Sequence, residues 1–178
     1  MSTALNLVSE MERIANALGA DREAPQILLA TVAEKIARNL GVKNDEVAIL
    51  AVSNRWRHLH FLVPEVLKNV GFIPLSSNSA LAARTARDSR PEIENNFTSA
   101  RHATVFEGIK LGAEPVEAIQ KMISAPILLD GKVIGVIQVS RKGATPHSAG
   151  PDFTAADLGN ILALCKPLGK ILRHFAAE

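Results

Sequence analysis

A single cysteine, Cys165, in 178 residues leaves no internal disulfide to be formed, and the chain is expected in the cytoplasm on that ground. No apolar run approaches the length that spans a bilayer, so no membrane contact is expected. The opening MSTALNLVSEMERIANALG lacks a basic stretch followed by a continuous apolar one and does not read as a signal peptide. Charge of one sign is also scarce. A formal net charge of +2 is too small by itself to argue for nucleic acid, whose footprint is a clustered basic face, and no direct nucleic-acid contact is expected. The sequence shows no internal repeat. It pairs no nucleophile with a base, spaces no carboxylates for acid–base work and groups no metal ligands, so neither an enzyme nor a metal site is expected.

What is present is a soluble composition, 47% hydrophobic and 21% charged, in a length that suits one domain with an extra helix. Leu7, Met11, Ile14 and Leu18 have helical spacing up to Gly19, a C-terminal stop. Leu29, Val32, Ile36 and Leu40 do the same between Pro25 and Gly41. EVAILAVS and HLHFLVP predict two strands around the polar turn NRWR. FIPL predicts a short extended piece, SSNSALAARTARDSR a serine-capped helix, and PEIENN a short strand, with a further helix from Thr98 or Ser99.

APILLDGKVIGVIQVSRKG predicts a hairpin, because Asp130-Gly131 supplies the two residues that accept positive φ in a two-residue turn. Val133, Gly135, Ile137 and Val139 alternate with Ile134 and Val136, so both faces are apolar and both need cover. Gly135, with no side chain to pack, raises the question whether something other than protein comes close there. In the last helix, Leu158, Ile161, Cys165, Leu168, Leu172 and Phe175 step by three, four, three, four and three, a heptad seam that needs a partner helix. The spacing leaves open whether that partner is in the same chain or in a second copy. Pro167 is expected to loosen or kink this helix.

Two stretches carry a family resemblance. GFIPLSSNSALAARTARDSRPEIENN, residues 71–96, and ISAPILLDGKVIGVIQVSRKG followed by FTAADL resemble the GAF domain family over roughly residues 25 to 175. The resemblance implies an α+β sandwich: a six-stranded antiparallel sheet, terminal helices on one face, and on the other a cavity roofed by the middle helices. It implies a GAF-like domain at 25–178, preceded by a helix and linker at 1–24. It also implies a sensory or regulatory role in signal transduction.

Cyclic-nucleotide-binding GAF domains carry Asn-Lys after the last hairpin strand and later Phe, three residues and Asp-Glu. Here Lys142 and Asp157 match, but Arg141 and Leu158 replace the Asn and the Glu, so cyclic-nucleotide binding is the lesser alternative. Lys142 and Asp157 are instead expected to pair as a structural latch across the loop KGATPHSAGPD. Bilin-binding members use a cysteine in the helical insertion, and the GAF-fold reductase of free methionine sulfoxide needs several; this chain has neither. His58 and His60 share a strand face, and Trp56 lies in the turn RWRH; a polar sheet face and an exposed tip or partner contact are the readings adopted.

The candidate ligand residues are Asn95, Asn96, Phe97, Thr98, Ser99, Arg101, His102 and Phe106, together with Gly135. The amides supply paired donor and acceptor, the phenyl rings an apolar wall, and the free N–H groups of a helix start, with Arg101 or His102, an anion-friendly spot. The resulting expectation is a non-enzymatic sensor of a small molecule, with no cofactor named by the residues, signalling through a helix-mediated homodimer to a separate output protein. The alternative is a purely structural dimerisation module.

Overall fold

A computed structural model describes residues 2–17, 24–69, 71–97 and 117–175. Its element order is α1 (Ser2–Ala17), α2 (Ala24–Leu40), β1 (Val47–Ser53), β2 (His58–Val63), β3 (Phe72–Pro74), α3 (Leu81–Asp88), β4 (Glu92–Glu94), β5 (Ile119–Leu129), β6 (Lys132–Lys142) and α4 (Ala155–Leu172). The strands form one six-stranded sheet in the order β3-β2-β1-β6-β5-β4, antiparallel throughout. Asp130 and Gly131 take φ of 51° and 79°, the left-handed pair that a two-residue hairpin turn requires, and they set Leu129 opposite Lys132.

Helix ends follow local chemistry. α2 stops at Gly41 (φ 64°), where Val42 N–H donates to the Ala37 carbonyl at 3.0 Å and Gly41 N–H to Arg38 at 3.4 Å, the paired bonds of a Schellman end. The buried Arg141 of β6 then donates to the carbonyls of Leu40 (3.0 Å) and Gly41 (3.2 Å), while its guanidinium lies 4.7 Å over the Phe153 ring. α4 begins with a capping box: Thr154 Oγ1 accepts from Asp157 N–H, and Asp157 Oδ2 accepts from Thr154 N–H. The helix continues through Pro167 without a break.

Each face of the sheet is the floor of its own core. On one face Val47, Ile49, Ala51, Ile123, Ala125, Ile127, Ile137 and Val139 meet α1, α2 and α4. On the other Ala48, Leu50, Leu59, Phe61, Met122 and Val136 meet α3, Leu67, Leu75 and Phe97. Burying each large apolar side chain contributes roughly 1.5–3 kcal/mol, so two-sided cover makes β1, β5 and β6 the thermodynamic centre of the domain. α1 also joins this packing, with Leu7, Met11 and Ala15 in the same cluster as Ile161, Leu164 and Leu168 of α4.

The heptad seam therefore finds its partners in its own chain. Ile161, Cys165, Leu168 and Leu172 are buried, and Leu158 and Phe175 are half-buried against the same cluster, so of the two partners the spacing left open these six pack on their own chain and are not the open seam that the homodimer reading assigned to them. Gly135 also differs from its assignment to the ligand cavity. It sits among the helix-facing residues, where a Cβ would strike the Leu172 side chain and stand 2.6 Å from the Leu50 carbonyl oxygen. A register shift after Ile127 takes Ile134 out of strict alternation and turns it toward the helix-side core.

Candidate functional site

The face under α3 is apolar except for a short polar line across its middle. β5 and β6 place Ser124 opposite Gln138, and both side chains point toward α3 because they alternate with the helix-facing Ile123, Ala125, Ile137 and Val139. Thr85 of α3 completes the line. Its Oγ1 donates to the Leu81 carbonyl at 2.9 Å, and its contact of 2.7 Å with Ser124 Oγ is then donated by the serine. Gln138 Nε2 donates in turn to Ser124 Oγ at 3.2 Å. Every bond in this relay has one possible direction once Thr85 is committed to its own helix. At its end stands Gln138 Oε1, on a residue only 3% exposed, with no donor among the described residues.

The walls are apolar and charged in turn. Phe97 is buried in this cluster, its N–H donating to the Gln120 carbonyl at 3.0 Å. Gln120 reaches the Gly143 carbonyl at 2.9 Å. At the β4 side Arg84 of α3 meets Glu92 at 2.6 Å. Asn96 is exposed, with its N–H on Glu94 Oε1 at 3.1 Å. Thr98, Ser99, Arg101, His102 and Phe106 lie outside the described residues.

Asn95, expected among the ligand residues, has a structural task. Its Nδ2 donates to the Phe153 carbonyl at 3.0 Å and its Oδ1 accepts from the Phe153 N–H at 2.8 Å. This two-way clamp ties the segment leading into Phe97 to the residue before the α4 cap. Buried Lys121 holds the same loop, donating to the Gly150 carbonyl at 2.6 Å and meeting Asp152 at 2.8 Å. The proposed Lys142–Asp157 latch is not formed. Asp157 is engaged by Thr154 in the capping box, whereas Lys142 lies 3.9 Å from Asp45 and its backbone N–H bonds Glu46 Oε2 at 2.6 Å.

The remaining motifs are accounted for locally. His58 stacks on Phe72 with centroids 4.6 Å apart, and His60 stands edge-on to it at 6.0 Å. No group of three metal-ligating side chains occurs among the described residues. Trp56 is 66% exposed at the β1–β2 tip, with Arg55 4.9 Å over its ring. Cys165 is remote from the α3 face, on the helix side of the sheet, and burial pushes its thiol up to about 12. No helix among the described residues is long and apolar enough to cross a membrane.

Sequence spacing missed Thr85, Ser124 and Gln138. The signal was available in IQKMISAPILL and VIQVSRK, where Ser124 stands between Ile123 and Ala125 and Gln138 between Ile137 and Val139.

Comparison with known proteins agrees with this geometry. No curated protein matches the sequence. The fold is similar to that of the GAF domain of a phosphoenolpyruvate-protein phosphotransferase from Acinetobacter, with 18% identity, a TM-score of 0.69, and coverage of 100% of this chain and 98% of that one. The corresponding domain from Coxiella burnetii gives 12% identity and a TM-score of 0.70, covering 97% and 94%. A free methionine-R-sulfoxide reductase from Neisseria meningitidis, solved with its substrate, gives 16% and 0.63, covering 96% and 89%. At these identities the likeness is one of fold. GAF domains are generally regulatory or sensory domains of signalling proteins. The model of the GAF domain family matches residues 24–171, and with the six-stranded sheet and its two covered faces this shows that the chain belongs to the GAF domain family.

Proposed function

We propose that the chain is a non-enzymatic sensory module that takes a small molecule on the α3 face of its sheet. The observation that carries this reading is the polar relay of Thr85, Ser124 and Gln138 set in an otherwise apolar cluster, which ends on Gln138 Oε1, an acceptor with no donor among the described residues. A ligand N–H or O–H donated to this acceptor would add a net hydrogen bond, worth about 0.5–1.5 kcal/mol. The ligand would be a compact molecule with one hydrogen-bond donor for Gln138 and an apolar body against Phe97, Phe61 and Met122. Its closure would reach α4 through the Asn95 clamp on Phe153 and bias a homodimer. With the seam buried, such a dimer would use the outer surface of the terminal helices, where Leu162 is 40% exposed. A separate signalling protein would read the change, in the cytoplasm.

The non-enzymatic part of the reading rests on Cys165. A lone buried thiol with its pKa at about 12 is poorly suited to the thiol chemistry of the sulfoxide reductases that share the fold. The alternative, a structural dimerisation module, is favoured by the chain's own side chains on this face, Phe97, Leu81 and Leu67 among them.

An absorbance spectrum of the purified chain, followed by mass spectrometry of its denatured supernatant, tests the two readings. Recovery of a stoichiometric small molecule from the wild type, absent from folded Gln138→Leu, is the expected result. A colourless, empty wild type would favour the scaffold.

A further inference from the structure

At the rim of the α3 face, away from Gln138, the two hairpin turns and the C-terminal end of α3 converge on an open groove of about 410 Å³. Its apolar floor comes from Val52, Leu75, Ala86 and Val133, and its polar wall from Arg57, Arg87 and Lys132 with Asn54 and Ser89. Among the described residues no carboxylate lines it. Arg57 and Lys132 make no ion pair among the described residues. Arg87 is held in place instead: its Nη1 donates to the carbonyls of Leu75 and Ser77, both at 2.6 Å. Its Nη2 and Nε make no hydrogen bond among the described residues. Three cations gathered in one concavity repel one another, and no carboxylate among the described lining residues relieves them. The α3 C-terminus opposes an anion by roughly half a unit charge at most, well short of the three cations.

We propose that this groove binds a small organic dianion, a phosphate monoester with a compact apolar body. A forked guanidinium already fixed by two carbonyls suits bidentate contact with phosphate oxygens, and a second Arg and a Lys supply charge for the remaining oxygens. The floor of Val52, Leu75, Ala86 and Val133 accepts the apolar body, and the volume lies within the usual roughly 300–1,000 Å³ of small-molecule sites. This site is independent of the one proposed at Gln138 and would stand if that reading fell.

Phenyl phosphate titrated into the ¹⁵N-labelled 178-residue chain is the probe. Saturable amide shifts are expected at Asn54, Ser89, Gly131 and Lys132, weakening as salt is raised. Inorganic phosphate, which lacks the apolar body, should bind the same residues more weakly, and benzyl alcohol, which lacks the charge, should not bind. Arg57→Gln with Lys132→Gln should weaken phenyl phosphate roughly tenfold, the scale of two exposed ion pairs. Arg38→Gln, which alters the exposed Arg38–Glu34 pair on α2, should leave it unchanged. The spectrum of each variant away from the substitution reports that it folds. Non-saturating shifts, shifts centred elsewhere, or undiminished binding by the folded double variant would overturn the proposal.

Discussion

Two glycines of α4 pose the same question with opposite answers. Replacing either by Ala should gain about 0.8–1 kcal/mol of helix propensity, because Ala has less backbone freedom to lose. At exposed Gly159 a Cβ meets nothing within 4 Å, so Gly159→Ala should realise that gain in full. At buried Gly169 a Cβ would run into the Leu128 carbonyl oxygen and stand 3.3 Å from its carbon. The obstacle is strand backbone, which cannot rotate away as a side chain would. Overpacking costs roughly 1–3 kcal/mol, and a rigid obstacle puts this case near the top of that range. Gly169→Ala should therefore lose about 1–2 kcal/mol net, leaving the two variants some 2–3 kcal/mol apart. Urea unfolding followed by circular dichroism measures this directly, with m unchanged in both variants. In a chain of this size each kcal/mol moves Tm by roughly 2–4 °C, so the pair should bracket the wild type. A Gly169→Ala protein as stable as the wild type would refute the claim that α4 lies against β5 with no room for a methyl group.

Gly135→Val should abolish soluble folded protein or destabilise it by about 3 kcal/mol or more, since its branches would meet the Leu50 carbonyl and Leu172; a stable variant that had lost only ligand would return Gly135 to the cavity. Asn95→Ala removes both bonds to the Phe153 backbone and should cost about 1–3 kcal/mol, with faster hydrogen exchange at Phe153; unchanged exchange there would mean that the clamp carries nothing. Cys165 should resist iodoacetamide at pH 8 until guanidinium unfolds the chain, as judged by intact mass. The same thiol gives a sign for alkaline pH. It stays protonated in the folded chain up to about 12 but ionises near 9.0 when unfolded, so the unfolded chain binds fewer protons and stability should fall as pH rises through this window. Rising stability between pH 9 and pH 12 in a comparison with Cys165→Ala would contradict that assignment.

Periodicity and turn chemistry carried most of the architecture. The Asp130-Gly131 turn, the Gly41 stop and the two-sided apolar pattern of β5 and β6 were all legible, and the resemblance supplied the sheet that joins them. What could not be read was which of two apolar faces belongs to which layer. Alternation fixes relative sides only, and the register shift after Ile127 breaks even that for Ile134. The α4 seam shows the same limit, because heptad spacing specifies a helical neighbour without saying whose, and α1 fills the role here. Asp157 was misassigned although the clue was adjacent: Thr154 three residues earlier makes it a capping-box acid. Lys142 has Asp45 and Glu46 beside it, contacts between segments that no local pattern reveals. In the candidate site, Phe97 falls on the α3 face, but the relay of Thr85, Ser124 and Gln138 requires knowing that α3 crosses β5 and β6.

The sheet order also has a consequence during synthesis. β1 and β2 leave the ribosome early and can pair at once, but the other edge of β1 is closed only by β6, with Val47 opposite Val139. Until then VAILAVS, a run without charge, presents open backbone to other nascent chains, the sort of segment that templates aggregation. Chains truncated before Lys132 should therefore accumulate as insoluble material unless a chaperone holds them, whereas a chain that includes β6 sheds that hazard as soon as the β5–β6 hairpin forms.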